Sequence, residues 1–294
     1  MEQGARPYRS VLYMPGSNPR ALQKARGLAA DALILDLEDA VSPGEKAAAR
    51  DLVAEAVAER GYGPRRVLVR INGLGTEWGR DDLARVVPAG PDAILLPKVE
   101  GRGDIEAAAA LVEEAGAAAE LRLWAMMETP RGVLHAAETA AAHQRLEGFV
   151  LGTNDLATDL GAAQTEARLP LLPSLALCLL AARAEGLVCV DGVYNAFRDE
   201  DGLRAACEQG RDLGFDGKSL IHPAQLAIAN EVFAPTADDI AAAEAQVAAF
   251  EEAEARGDGV AVLDGRIVET MHAAAARRLL ARAAAIAEID AAAH

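Results

Sequence analysis

Residues 121–129 read LRLWAMMET, and residues 146–156 read LEGFVLGTNDL. Each is a short apolar run that closes on a carboxylate, Glu128 in the first and Asp155 in the second. The two acids are 27 residues apart, the length of one strand–helix–strand unit. In a parallel sheet this spacing brings both acids to the same edge, at the carboxyl ends of adjacent strands. A single acid at a strand end often serves solvation alone, but a pair at matching positions goes beyond that. Two hard oxygen ligands with room for water and substrate describe a Mg²⁺ site.

Six further runs of the same kind extend the pattern. They are residues 10–16 (SVLYMPG), 31–39 (DALILDLED), 65–73 (RRVLVRING), 92–100 (DAILLPKVE), 187–195 (LVCVDGVYN) and 215–223 (FDGKSLIHP). The eight starts are spaced by about 29 residues on average, the size of a βα unit. Stretches with helical periodicity lie between them, such as 45–59 and 104–119. Continuous apolar strands alternating with amphipathic helices imply a parallel sheet covered on both faces. Eight units favour a closed (β/α)₈ TIM barrel, of the α/β class, over an open sheet. No G-x-G-x-x-G or P-loop pattern follows the first run, which argues against nucleotide binding of those kinds. Past the eighth run, 236–255 and 270–287 read as helices joined by 256–269 (RGDGVAVLDGRIVE). The expected organisation is a catalytic barrel over residues 1–233 and a helical lid or oligomerisation extension over 234–294. The Ala-rich helices of the extension have weak apolar faces and need a partner surface.

Composition narrows the function. Of 294 residues, 51% are hydrophobic, and 45 acidic against 29 basic side chains give a net charge of −16. That balance speaks against nucleic acid as a partner, and an anionic substrate would need a local basic patch. No apolar run reaches the roughly 18 residues of a membrane span. The opening MEQGARPYRS lacks the apolar core of a secretory signal. Cys178, Cys189 and Cys207 show neither metal spacing nor a disulfide framework, which fits buried thiols in a cytoplasmic protein.

Polar residues collect at the ends of the runs: Ser17, Asp36, Glu38, Asp39, Arg70, Asn72, Lys98, Glu100, Glu128, Asn154, Asp155, Asp191, Asn195, Lys218 and His222. In a barrel these ends line the catalytic face. Arg70, between Val69 and Ile71, is costly to bury unpaired. Its partner is either Asp36 or Glu38, or a bound carboxylate, which a guanidinium beside a metal holds bidentately. Lys98 either pairs with an acid of the second run or touches substrate. Two metal-binding carboxylates nearby would keep its amine protonated, which disfavours a Schiff base. His222 is equally suited to substrate contact and to local backbone bonding.

The stretches RSVLYMPGSNPRALQKA, DALILDLEDAVSPGEK, VRINGLGTEWGRDDL, ILLPKVE, AMMETPRGVLHA, GTNDLATDLG and DGVYNAFRDEDGLRAACEQGRDLGFDGKSLIHPAQ together cover nearly the whole chain. In them it resembles the citrate lyase β-subunit-like family, which includes the malyl-CoA lyases. The resemblance implies a barrel that forms trimers or hexamers, with Mg²⁺ on Glu128 and Asp155 and the substrate carboxylate or carbonyl oxygen on Arg70. Asp36, Glu38 and Asp39 would lie behind the metal or beside the substrate. The loops of Ser17, Arg20, Ile221, His222 and Pro223, with Lys98, would help place a CoA thioester. Family lyases carry a basic Asp in a G-x-M-I-D motif on a lid from a neighbouring subunit. The matching segment here is Gly265-Arg266-Ile267-Val268-Glu269, so Glu269 replaces that Asp with one more methylene. A shift of roughly 1 Å in a catalytic oxygen costs on the order of a hundredfold in rate. With the long DGVYNAFRDEDGLRAACEQGRDLGFDGKSLIHPAQ stretch, the IVE segment resembles instead the family branch that hydrolyses (3S)-malyl-CoA to malate and CoA, with Glu269 positioning water. The alternatives are a lyase or synthase on malyl-, β-methylmalyl- or citramalyl-CoA, and a citrate lyase β subunit. A non-catalytic barrel is disfavoured by the intact Arg70, Glu128 and Asp155. The expected partners are a small CoA thioester and a short carboxylate or α-keto acid.

Overall fold

The structure is a computed structural model that describes residues 6–292. The first five and last two residues of the expected segments 1–233 and 234–294 lie outside the described residues.

Eight parallel strands close into a barrel in sequence order: β1 (Ser10–Pro15), β2 (Ala32–Asp36), β3 (Arg66–Arg70), β4 (Ala93–Leu96), β5 (Arg122–Met127), β6 (Leu146–Leu151), β7 (Val188–Asp191) and β8 (Gly217–Leu220). β8 pairs with β1 to complete the ring. This is the (β/α)₈ architecture expected from the eight runs. Side chains alternate in direction along each strand. Val11, Ile34, Leu68, Leu95, Met126, Val150 and Val190 fill the interior. Leu12, Leu33, Val69, Ile94, Leu123, Phe149 and Cys189 belong to the larger cluster between the strands and the surrounding helices. Both faces of β1 to β7 therefore carry apolar residues, which is why those runs read as continuous rather than alternating.

Trp124 closes the barrel interior. Its Nε1 donates to Glu147 at 2.8 Å, and Arg66 Nη2 donates to both oxygens of the same carboxylate. Any Cβ at residue 148 would meet the Trp124 ring at 2.8–2.9 Å, so the neighbouring strand carries Gly148 there.

The observed strands are shorter than the apolar runs, and the difference relocates several side chains. β6 ends at Leu151, so Asp155 is not a strand terminus. It sits in the first turn of the helix Thr153–Leu160, where the helix dipole favours an acid. Asp191 and Lys218, read as members of the catalytic face, turn to the outside of the strands. Inward positions on β7 and β8 fall to their neighbours, such as Val190. Lys218 is 1% exposed, and its Nζ donates to Asp191 at 2.7 Å.

The described residues divide into two compact units, Tyr8–Phe233 and a second built on residues 234–292 with residues 6–7. In the second unit the helix Ala237–Ala255 starts with a capping box. Thr236 Oγ1 accepts from the Asp239 N–H at 3.1 Å, and Asp239 Oδ2 accepts from the Thr236 N–H at 2.9 Å. Residues 256–269, read as a plain connection, instead contain an antiparallel hairpin of β9 (Ala261–Leu263) and β10 (Arg266–Val268). Its turn is Asp264-Gly265, with φ of 50° and 75°. Two positive φ values match the twist of flanking strands, and Asp-Gly supplies them readily. The helix Thr270–Ala292 follows. Phe250, Ala253, Ala261, Val268 and Ala273 form a core within this unit, so the hairpin and the two helices give one another the partner surface their weak apolar faces need.

No described helix is long and apolar enough to cross a membrane. All three cysteines are free and buried. Burial pushes the Cys178 thiol up to about 12 and the Cys207 thiol up to about 11, which makes them poor nucleophiles.

Candidate active site

The register of β2 against β3 sets Asp36 beside Arg70. Arg70 Nε donates to Asp36 Oδ1 at 2.7 Å and Nη2 donates to Asp36 Oδ2 at 2.6 Å, a two-pronged pair. Nη1 donates to Asp39 at 3.2 Å and lies 2.8 Å from Glu38 Oε2. The Glu38 oxygen is close enough for charge attraction but is not aligned for a hydrogen bond. Arg70 thus has the protein carboxylate partners that its burial demands. Burial pulls its pKa down, but the bonds and charge of Asp36 prevail and hold it above the ordinary value. The guanidinium also stands over the Tyr13 ring at 5.0 Å, and the Tyr13 hydroxyl donates to Met126 Sδ at 3.2 Å.

Glu128 follows β5 and is buried, with Oε1 accepting the Lys98 N–H at 2.7 Å. Asp155 Oδ2 accepts from Lys98 Nζ at 2.6 Å. A Cβ at residue 152 would collide with the Glu128 side chain, so Gly152 makes room for this carboxylate. Tyr13, Arg70, Glu128, Asn154, Asp155 and Ile221 help line one cavity of about 390 Å³. A wider recess of about 570 Å³ lies over Asn195–Asp199. It contains no paired carboxylates, so the first cavity is the candidate site.

Five carboxylates, Asp36, Glu38, Asp39, Glu128 and Asp155, gather here around two cations, Arg70 and Lys98. The surplus of negative charge and the oxygen-only donor set suit a hard divalent cation. Among the described residues no three His, Cys, Asp or Glu side chains form a metal cage. Two carboxylates with remaining positions left to water and substrate suit Mg²⁺, which keeps several waters.

The same crowding perturbs the acids. Burial raises the pKa of Glu128, against the Lys98 N–H and the charges of Arg70 and Lys98. Burial, opposed by Arg70 and reinforced by Asp39 and Glu128, pushes Glu38 up to about 7. A carboxyl whose pKa is raised on folding binds more protons in the native state. Its effect on stability therefore worsens as pH rises from its unfolded value near 4.5 through about 7. Wild type relative to Glu38→Gln should lose on the order of 2–3 kcal/mol between pH 4.5 and 7.5. Urea unfolding of both proteins at the two pH values checks this, and parallel pH profiles would contradict it.

The remaining expected site residues divide. Ile221 lines the cavity. Ser17 is half-buried in the turn after β1, and Arg20 is exposed on the helix Pro19–Ala25. His222 takes the backbone alternative: Nδ1 accepts the Ala224 N–H at 3.1 Å, at the start of the short 3₁₀ helix Pro223–Gln225, and its ring stacks on Phe197 at 4.4 Å. Lys98 does not pair with an acid of the second run. Its partner is Asp155, because the backbone turns to a φ of 49° two residues after β4 and directs the side chain the other way. Glu269 is exposed in the C-terminal unit, and its N–H donates to His272 Nδ1 at 3.0 Å, just before the helix Thr270–Ala292. Tyr13 and Met126 were not singled out by sequence. The signal that finds them is parity, since both share the inward phase of Val11 and Trp124.

Residues 9–223 match the family described as HpcH/HpaI aldolase/citrate lyase. The chain is 60% identical to a (3S)-malyl-CoA thioesterase of Cereibacter sphaeroides over 98% of both sequences. It is 38% identical to an L-malyl-CoA/β-methylmalyl-CoA lyase of the same species, over 90% of this chain and 91% of the lyase. Among solved structures it is similar to protein CitE from Mycobacterium tuberculosis in complex with magnesium, acetoacetate and coenzyme A. That similarity has a TM-score of 0.74 and 29% identity, and covers 96% of this chain and 99% of that one.

Proposed function

The chain belongs to the HpcH/HpaI aldolase/citrate lyase family, and we propose that it is a Mg²⁺-dependent enzyme that hydrolyses (3S)-malyl-CoA to malate and free CoA. The observation that carries this reading is the gap in identity, 60% to a thioesterase against 38% to a lyase, at near-complete coverage of both. Magnesium is supported by the carboxylate surplus around the cavity and by the magnesium and coenzyme A held by the similar CitE.

In this reading Glu128 and Asp155 hold the ion, which supplies Lewis-acid polarisation of the substrate oxygens. Arg70 binds the substrate's carboxylate with the guanidinium N–H groups that Asp36 and Asp39 leave free. Asp36 fixes the plane of that guanidinium, so orientation is set before substrate arrives. Tyr13 and Met126 form an apolar floor that keeps bulk water from one side of the reacting group. Ile221 and the neighbouring His222-Pro223 turn, with Ser17 and Arg20, flank the thioester arm. Glu269 is the acid assigned to positioning the attacking water, and residues 234–294 act as a lid or oligomerisation extension of a cytoplasmic homotrimer.

The carbon–carbon lyase reading shares the same electrophilic half and is favoured by the 38% relative. Products separate the two. Incubation with Mg²⁺ and (3S)-malyl-CoA should give malate and free CoA in equal amounts. Glyoxylate and acetyl-CoA as the sole products would sink the thioesterase reading.

A further inference from the structure

Lys98 touches both carboxylates of the proposed metal pair. Its main-chain N–H donates to Glu128 Oε1 at 2.7 Å, and its ammonium donates to Asp155 Oδ2 at 2.6 Å. The residue holds a φ of 49°, in the left-handed region that residues with a side chain rarely adopt. That conformation points the N–H at one acid and the side chain at the other. An unfavourable backbone retained at a site is an observation from which a function can be argued.

Resting on the Mg²⁺ reading above, we infer that Lys98 is a tethered counter-ion of the metal pair, whose ammonium competes with the divalent cation for the Asp155 carboxylate and holds the metal affinity of the protein down. The ammonium already occupies one Asp155 oxygen and neutralises part of the charge a divalent cation would use, and a positive charge beside the site repels the incoming ion. The side chain is 53% exposed and that of Asp155 is 39% exposed, so the ammonium can swing into solvent or toward an anionic ligand when displaced. Besides Asp155, the Lys98 ammonium feels the charges of Glu128 and, more weakly, Glu38. The main-chain bond to Glu128 does not depend on the identity of the side chain, so one acid stays oriented while the other changes partner.

The bland alternative is a surface ion pair that merely holds the loop after β4 in place. The two differ in sign. If Lys98 organises the site, removing its side chain lets Asp155 drift and loosens Mg²⁺. If it competes, removal tightens Mg²⁺. The test is calorimetric titration of Mg²⁺ into full-length wild type, Lys98→Met and Lys98→Arg without substrate, with Lys98→Gln in reserve should the methionine variant fold poorly. The expected dissociation constant of Lys98→Met is roughly tenfold lower than that of wild type, the size of one unit charge acting on a divalent ion across a few ångströms of well-screened medium. Lys98→Arg, which keeps the charge, should stay near wild type. Mg²⁺ should also raise the melting temperature of Lys98→Met more than that of wild type at equal concentration. Equal or weaker Mg²⁺ binding by Lys98→Met overturns the counter-ion role and leaves the metal reading intact. Absence of saturable Mg²⁺ binding in every protein, Lys98→Met included, overturns the metal reading and this inference with it.

Discussion

Asp155→Ala is expected to abolish Mg²⁺-dependent turnover while the protein stays folded. Partners that merely orient a metal ligand are worth about 10–100-fold in affinity or activity, so loss of one of two carboxylate ligands should cost at least about a hundredfold. The fold has little reason to respond. The Asp155 side chain is 39% exposed, it pairs with the half-exposed Lys98, and exposed pairs contribute about 0–1 kcal/mol. Removing the acid also releases the Lys98 ammonium to turn on Glu128, which would oppose the ion at its remaining ligand. Initial rates across a Mg²⁺ series, with circular dichroism melting as the folding control, give the answer. Unchanged activity would remove Asp155 from the metal site.

Asp191→Ala should instead unfold the barrel unit more easily without touching the cavity. Asp191 is fully buried and accepts from Lys218 Nζ at 2.7 Å, from Arg168 Nη1 at 2.6 and 2.8 Å, and from the Gly192 N–H at 2.8 Å. Burial opposes its ionisation, but Lys218 and Arg168 prevail and hold its carboxyl below the ordinary value. Without the acid, Lys218 is left almost fully buried beside a second cation. Stripping one partner from a buried ion cluster costs about 3–5 kcal/mol, a fall in melting temperature on the order of 10 °C for a unit of this size. The double variant Asp191→Asn with Lys218→Met should recover part of the loss, since it removes one stranded charge along with its partner. Chemical denaturation of the three proteins measures both effects. A cost below about 1 kcal/mol for Asp191→Ala would mean that water reaches the cluster.

These two acids show how much could be read without coordinates. Both follow apolar runs and both look like members of a catalytic edge. One lines the cavity and the other is turned into the wall behind it. For Asp191 the deciding property is the direction of its side chain, which flips at every residue of a strand, whereas Asp155 stands in a helical turn past β6. A run such as LVCVDGVYN is apolar at both phases and carries no mark of which phase faces inward. The Asp-Gly turn at 264–265 was readable in principle, since the dipeptide between two short β-branched stretches is a hairpin signal.

The sequence by itself determined the barrel, the number of its strands and the likeness to the citrate lyase β-subunit-like family. Eight continuous apolar runs at a βα spacing have few ways to bury both faces, and closure is the one that leaves no edge. The sequence also placed Glu128, Asp155 and Arg70 together, because residues at the carboxyl ends of parallel strands and in the first turn beyond them converge on one edge of the barrel. Only the tertiary structure decided what each of them touches. Arg70 is held by Asp36 through the register of two strands, Asp155 stands in a helix rather than on a strand, and Lys98 spans both acids through one left-handed backbone angle. Such contacts depend on distances and torsions between segments far apart in the chain, and a pattern of apolar and charged residues encodes neither.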